Sequence, residues 1–162
     1  MSDKQGVDRV VELIRGTRVA MLTTQSGGEG RVKLTSRPMA TQDVDFGGDV
    51  WFIAERSSAL VSEVGARPEV NVAYASDSSW VSLAGTAEVL DDSAKLGELW
   101  NTFTDAWMEG GPENPENVLI RVQGDSAEYW DSPGAKVTQV VNLVKAKLTG
   151  RRYEADNEVV DL

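Results

Sequence analysis

The chain has 162 residues, of which 41% are hydrophobic and 26% are charged, a size and balance typical of one globular domain with one core. The absence of cysteine and histidine excludes disulfides, thiolate metal sites, thiol nucleophiles and catalytic triads that need an imidazole. The net charge of −10 disfavours nucleic acids and anionic membranes as partners, because both are bound mainly through Lys and Arg.

The N-terminal third of the chain predicts a helix followed by a hairpin. Aliphatic residues recur at helical spacing over 7–14. A strand over 19–24 leads into a turn over 26–30, where three glycines supply the positive φ that tight turns need. Val32 and Leu34 then alternate with polar residues, which predicts a half-buried strand with these two side chains on its apolar face.

The middle of the chain predicts three further strands and a short helix. A strand over 50–53 is followed by a helix that begins at the serine pair 57–58. Strands over 70–74 and 80–90 come next. Gly85 lies inside the second of these, which indicates a bulge or a close approach of two backbones.

A helix rich in aromatic residues is predicted after residue 92. Its apolar residues are expected on one face, and they are Leu96, Leu99, Trp100, Phe103 and Trp107. The glycine and proline residues over 110–115 end this helix and form a loop.

The C-terminal part predicts two strands, a helix and a tail. Strands over 118–122 and 127–130 are expected to pair around a turn at Gly124. A helix with a valine stripe over 137–148 follows, and the stripe either packs on its own barrel or forms a dimer interface. The tail over 151–162 is polar and acidic, and it is expected to be mobile and to lie outside the domain formed by residues 1–150.

Six to seven strands in short hairpins, interrupted by single helices, predict a mainly β fold of the α+β type. The elements do not alternate strictly as βαβ units, which disfavours a parallel nucleotide-binding sheet. An antiparallel split β-barrel with peripheral helices fits the pattern best.

Neither a membrane span nor a metal site is predicted. No stretch approaches the ~20 apolar residues that cross a bilayer, and the N-terminal segment is amphipathic without the apolar core of a signal peptide. No acidic cluster has the spacing of a calcium-binding loop. We therefore expect a soluble cytoplasmic protein that does not depend on a metal.

Two places in the sequence could hold an anion. Lys33, Thr35 and Arg37 lie two residues apart along one strand, so their side chains share a face and could bind a phosphate or carboxylate. Arg56 and Ser58 stand at the start of a helix, where free backbone N–H groups favour an anion. Each place also has a purely structural interpretation, a solvated strand face in the first case and a helix N-cap in the second.

The five tryptophans suggest a place for a planar ligand. Trp80 begins a strand and Trp130 ends one, so both are expected near the rims of the barrel, where a heterocycle could stack on them. Trp51, Trp100 and Trp107 lie in apolar patterns that favour packing in the core or at an interface.

Several segments resemble the general stress protein branch of the pyridoxamine 5′-phosphate oxidase-like superfamily. Each segment alone is a weak signal, but their order and spacing over about residues 5–150 are specific. The segments are SRPMATQ at 36–42, VWF at 50–52, VSLAGTA at 81–87, ELWN at 98–101, GGP at 110–112 and AEYWDSPGAKV at 127–137.

This resemblance implies an FMN-binding split barrel that forms a homodimer, with the flavin bound at the interface. The leading arginine of the first segment would bind the phosphate, and the serine at the helix start would support it. The implied cofactor-binding residues are Arg37, Met39, Thr41, Gln42, Ile53, Ala54, Arg56, Ser58, Trp80 and Trp130. No catalytic residue is implied.

The chain departs from the superfamily pattern at two positions. Leu60 stands where a basic residue is common, and Ala54 stands where a threonine is frequent. A charge-assisted phosphate contact is therefore missing, which lowers the expected FMN affinity roughly ten- to hundredfold. FAD, a deazaflavin, or weak or absent flavin binding stay open as alternatives.

The resemblance favours a flavin-dependent oxidoreductase connected with stress response, acting on a small molecule that the sequence does not identify. A flavin carrier without turnover is an alternative, because the sequence contains no compelling catalytic side chain. A deazaflavin-dependent reductase is a third possibility. Oxidation of pyridoxamine phosphate itself is not expected, since the Arg-x-His substrate signature of that enzyme needs a histidine and this chain has none.

Overall fold

The computed structural model describes residues 3–42, 48–131 and 156–161. Four helices and seven strands lie in these ranges. In chain order they are α1 (Asp3–Arg15), β1 (Val19–Ser26), β2 (Lys33–Ala40), β3 (Asp49–Glu55), α2 (Ala59–Ala66), β4 (Glu69–Ala75), β5 (Ser79–Leu90), α3 (Ser93–Leu99), α4 (Thr102–Trp107), β6 (Asn117–Asp131) and β7 (Asp156–Asp161).

All seven strands belong to one antiparallel sheet. Its order is β2-β1-β4-β5-β6-β3, and β7 pairs with the second half of β6 beyond the end of β3. The two outer strands of this path approach each other where the backbone N–H of Gln42 donates to the carbonyl of Trp51 over 3.3 Å. The sheet is therefore a split barrel, and the predicted mainly β fold with six to seven antiparallel strands is confirmed.

The interior of the barrel is filled by the inward side chains of the strands. The most deeply buried include Leu22, Phe52 and Val72, each with 0% exposure. The predicted N-terminal helix is confirmed as α1, which adds Val10 and Ile14 to the same cluster. Aliphatic burial on this scale is the main stabilising contribution in a domain of this size.

A second, smaller apolar cluster lies on the outside of the barrel, under α3. Ile53 of β3 and Leu119 of β6 are opposite each other in the sheet, and both pack against Leu96. Trp51 and Trp100 pack at the edge of this cluster, which agrees with their predicted structural role. The cluster packs α3 and the residues that follow it against the outer face of β3.

Gly85 marks a bulge, as predicted. The register between β5 and β6 shifts between Ala84 and Gly85, and Gly124 lies opposite Gly85. The predicted turn at Gly124 is wrong, because β6 continues through it as one strand of 15 residues. β5 pairs with β6 on both sides of the bulge. The residues around Gly124 therefore shift the register between the two strands and do not reverse the chain.

The buried face of β2 is the opposite of the predicted one. Val32 and Leu34 are 61% and 67% exposed, whereas Arg37 and Met39 are half-buried. The reason is the pairing with β1, which places Arg37 beside the inward Leu22. Because β2 is an outer strand of the sheet, its inner face can hold polar groups, and Arg37 pairs there with Glu63 of α2.

The single aromatic helix predicted after residue 92 is instead two short helices. Asn101 interrupts it and caps α4, since its side-chain Oδ1 accepts hydrogen bonds from the backbone N–H groups of Phe103 and Thr104, both over 3.0 Å. The break turns α4 away from the common apolar face. Phe103 and Trp107 are consequently 53% and 74% exposed.

Part of the predicted mobile tail is a strand. Asp156–Asp161 form β7, and Val160 is fully buried in the main core. Val160 faces inward while its neighbours Val159 and Asp161 face outward, which is the ordinary pattern of a half-buried strand. The predicted helix over 137–148 lies outside the described residues. Among the described helices, none has the length and apolar character needed to cross a bilayer.

Candidate functional site

An apolar groove of about 340 Å³ opens where β2 and β3 approach α4. This volume lies within the range of small-molecule sites, which are commonly apolar with a few polar groups. The residues that line it are Val19, Pro38, Met39, Ala40, Gln42, Ile53, Phe103, Thr104, Trp107 and Met108. Three of the predicted site residues, Met39, Gln42 and Ile53, are therefore brought together here.

One corner of the groove is polar. Gln42 is 5% exposed, and its side-chain Oε1 accepts a hydrogen bond from Asn101 Nδ2 over 3.1 Å. Thr104 lies on the same wall, and its buried hydroxyl has no hydrogen-bond partner among the described residues. Buried polar atoms are nearly always satisfied, so an unsatisfied hydroxyl on a groove wall is a candidate for contact with a ligand.

The outer wall of the groove is aromatic. The rings of Phe103 and Trp107 have centroids 6.1 Å apart and are tilted by 43°. Both belong to a helix of six residues that Asn101 caps. Large exposed aromatic rings beside an apolar groove are suited to cover the face of a planar ligand.

A second cavity of about 220 Å³ adjoins the groove and is more polar. Arg18, Thr41 and Asn101 are among its lining residues, and Gln42 is shared between the two cavities. Thr41, another predicted site residue, donates its hydroxyl to the carbonyl of Thr17 over 2.8 Å. Thr41 thus fixes the end of β2 beside the groove.

The remaining predicted residues lie elsewhere. Ala54 faces the barrel interior and is 5% exposed. Trp80 and Trp130 are directly opposite each other on β5 and β6, on the outer face of the sheet, and Trp80 is 45% exposed. None of the three lines either cavity. Their predicted contact with a cofactor stays a prediction.

The three residues predicted to hold a phosphate each have a partner within the chain. Arg37 donates to Thr24 and forms an ion pair with Glu63. Arg56 instead forms an ion pair with Asp91 and donates to the carbonyl of a loop residue over 3.0 Å. These partners are intramolecular, so each arginine already has an anion beside it.

Ser58 performs the structural role that was its alternative interpretation. It is the N-cap of α2, and its hydroxyl accepts from the backbone N–H of Val61 over 3.4 Å. Leu60 in the next turn is 4% exposed and belongs to the main core. The position where the superfamily has a basic residue is thus directed into the barrel and not towards solvent.

The sequence interpretation missed Glu63 and Thr24. Glu63 is the only charged residue of α2, and its carboxylate faces the inner side of β2. Burial tends to raise the pKa of this carboxyl, but the hydrogen bonds from Thr24 and Arg37 outweigh it and hold the pKa below its usual range. A single acidic residue in an otherwise uncharged short helix was the signal that could have revealed the Arg37–Glu63 pair.

The lining of the apolar groove is uncharged. No ionisable side chain is among the residues that line the apolar groove. Within the described ranges, acidic side chains also do not gather in groups of three that could hold a metal ion.

Comparison with known proteins agrees with this architecture. Residues 5–154 match the family described as pyridoxamine 5′-phosphate oxidase like. The chain belongs to this family. The predicted resemblance to its general stress protein branch is confirmed, since general stress protein 26 of Jannaschia sp. CCS1 is 25% identical, with a TM-score of 0.78 over 98% of this chain and 99% of that one.

Two further proteins are similar to this chain. The general stress FMN/FAD binding protein of Xanthomonas citri is 28% identical, with a TM-score of 0.67 over 82% of this chain and 92% of that one. Protein bli-3 of Neurospora crassa is 25% identical over 158 residues, which cover 91% of this chain and 75% of that protein.

Proposed function

We propose that this protein binds a flavin, with the ring system in the apolar groove between β2, β3 and α4. The observation that carries the proposal is the groove itself, which combines apolar walls, two exposed aromatic rings and one polar corner at Gln42. A flavin ring has apolar faces and a polar edge, so its chemistry matches these walls. The related Xanthomonas citri protein is named as FMN/FAD binding, which supports the same ligand class.

The residues of this chain would orient and shield the ring. Met39 and Ile53 form the inner wall, while Phe103 and Trp107 form the outer wall. The amide of Gln42 and the unsatisfied hydroxyl of Thr104 would bond the polar edge. A bound flavin supplies hydride and electron transfer, and the protein contributes position, exclusion of water and electrostatics.

The active form is proposed to be a homodimer. Val19, Met21 and Trp80 are 48%, 40% and 45% exposed on the outer face of the sheet, and Val19 lines the groove together with the exposed rings of α4. Contiguous apolar surface of this kind is unusual on a monomer and typical of interfaces. A second copy of the chain that covers this face would also close the groove, so the ligand would lie at the interface.

The proposed activity is that of an oxidoreductase acting on a small molecule. A flavin carrier without turnover is the second candidate, and the observation that favours it is the absence of ionisable side chains among the residues lining the groove. A carrier needs no acid or base at the ring, whereas a reductase must move a proton through water or through a group outside this lining.

The test is titration of the purified protein, stripped of bound chromophore, with FMN, FAD, riboflavin and a deazaflavin, followed by flavin absorbance and fluorescence. Trp107→Ala is expected to weaken flavin binding about tenfold, whereas the matched Trp107→Phe retains an aromatic wall and stays within about threefold. Saturable binding with steady-state oxidation of reduced nicotinamide supports the oxidoreductase, and binding without turnover supports the carrier. If no flavin binds at all, the proposed function is wrong.

A further inference from the structure

The half-buried cluster of Arg37, Glu63 and Thr24 lies between β2 and α2, apart from the groove. Arg37 Nη2 lies 2.8 Å from Glu63 Oε2, and Arg37 Nη1 donates to Thr24 Oγ1 over 2.7 Å. The Thr24 hydroxyl in turn donates to Glu63 Oε2 over 2.6 Å. The three side chains therefore form a closed triangle in which every hydrogen bond has a consistent direction.

This cluster is shielded enough for its charges to matter. The side chains of Arg37 and Glu63 are 25% and 15% exposed, and Thr24 is fully buried. A charged group in such a place must keep a partner, because an unpaired charge that is partly removed from water is costly. Arg37 is thus held by an internal carboxylate, and the net charge of the pair is zero.

An incoming phosphate would compete with that carboxylate. To accept phosphate, Arg37 would have to leave Glu63, which would then remain half-buried, ionised and close to a second anion. Three other positions of the predicted phosphate site are also engaged. Arg56 is paired with Asp91, Ser58 caps α2, and Leu60 fills the core where the superfamily has a basic residue.

We infer that this chain recognises its flavin through the ring and does not use the terminal phosphate, and that Glu63 is the specificity-determining residue that cancels the charge of Arg37. This inference rests on the proposed flavin-binding function. It assigns the uncharged flavin class, of which riboflavin is the simplest member, as a ligand that binds about as well as FMN.

The experiment compares the affinities of riboflavin and FMN by fluorescence titration of the full-length protein. In the wild type the two dissociation constants should agree within about threefold, since Arg37, the cation predicted to bind the phosphate, is already neutralised by Glu63. Glu63→Gln frees Arg37 and should tighten FMN binding by about tenfold, while riboflavin binding changes little. Glu69→Gln is the matched control, because it removes one negative charge from an exposed side chain of β4 and should leave the ratio unchanged.

A second variant keeps the inference testable if Glu63→Gln fails to fold. Arg37→Gln should leave the ratio of the FMN and riboflavin dissociation constants within about threefold of the wild-type ratio, because Arg37 does not bind the phosphate. A wild-type protein that binds FMN at least tenfold more tightly than riboflavin, or an Arg37→Gln variant that loses FMN selectively, overturns the inference alone. Failure of both flavins to bind the wild type and Glu63→Gln overturns the inference and the proposed function together.

Discussion

Gly85 of β5 packs directly against the main chain of β6, so that a Cβ placed on it would lie 2.3 Å from the carbonyl oxygen of Gln123. That oxygen belongs to rigid backbone inside the sheet, which cannot move aside as a flexible side chain would. Gly85→Ala is therefore expected to destabilise the protein by about 2–3 kcal/mol, the cost of forcing atoms into a packed interior. Chemical denaturation with the wild type and the variant measures this difference.

The matched control for that substitution is Gly97→Ala. Gly97 lies in α3, and a Cβ built on it meets nothing within 4 Å. Because alanine is the better helix former, the control should raise stability by about 0.5–1 kcal/mol. Equal effects of the two substitutions would contradict the close approach of the two strands.

Leu60→Lys, the substitution that restores the superfamily's basic residue, is expected to damage the fold. Leu60 is 4% exposed within the main core, so an ammonium group there would lose its hydration and the core would lose an aliphatic side chain. We expect a loss of about 2–4 kcal/mol, comparable to truncation of a buried leucine. Ser62→Lys on the exposed side of the same helix should stay within about 0.5 kcal/mol of the wild type. If Leu60→Lys is as stable as Ser62→Lys, the helix is oriented differently.

Much of the fold was predictable because it follows from local patterns. The alternation of apolar residues along β4 and β5, and the helical spacing in α1, reflect burial of one face and were interpreted correctly. The break at Asn101 was not foreseen, because the aromatic residues on either side continue a helical spacing and only the capping geometry reveals the interruption. The inner face of β2 was wrong because register with β1, a long-range property, decides it.

The candidate site was predictable only in part. Met39, Gln42 and Ile53, three of the residues that the family resemblance implied, line one groove at the edge of the barrel, and their contact with a cofactor stays a prediction. The partner of Arg37 could not be predicted, because Glu63 reaches it from a different element across the sheet. Which anion neutralises an arginine depends on tertiary contacts that the spacing of residues along the chain does not encode.

Asn101 is expected to couple the cap of α4 to the polar corner of the groove. Its Oδ1 caps the helix and its Nδ2 donates to Gln42. Asn101→Ala loses both contacts and should cost about 1 kcal/mol of stability together with weaker flavin binding. Asn101→Asp retains the capping oxygen but not the donor, so it should recover the stability without recovering the affinity. Thermal melts and flavin titrations of the two variants separate these effects, and the idea fails if Asn101→Asp binds flavin as the wild type does.

Stability should depend on pH through Glu63. The folded state holds the pKa of Glu63 below its ordinary value of 4.5, so the unfolded chain binds the extra proton first as the pH falls. The stabilisation is therefore fully present above that ordinary value and is lost as the pH falls through the folded pKa. Glu63→Gln should be about 1 kcal/mol less stable than the wild type near neutral pH, and the gap should narrow as the pH falls below that ordinary value. A gap that is constant over this range would show that the carboxylate contributes nothing through its charge.

The proposed dimer can be separated from the fold by a charge on its outer face. Met21 is 40% exposed and lies beside Pro38 of β2 and Ala73 of β4, so Met21→Lys would place an ammonium group at the centre of the apolar surface without disturbing the core. Sedimentation should then show a monomer, and its melting temperature should fall only by the amount that the subunit contact contributed. Flavin affinity should also fall, because the second copy closes the groove. Val32→Lys is the matched control, since Val32 is 61% exposed in the loop before β2, and it should remain dimeric. If Met21→Lys stays dimeric and binds flavin like the control, the copies do not meet on this face of the sheet.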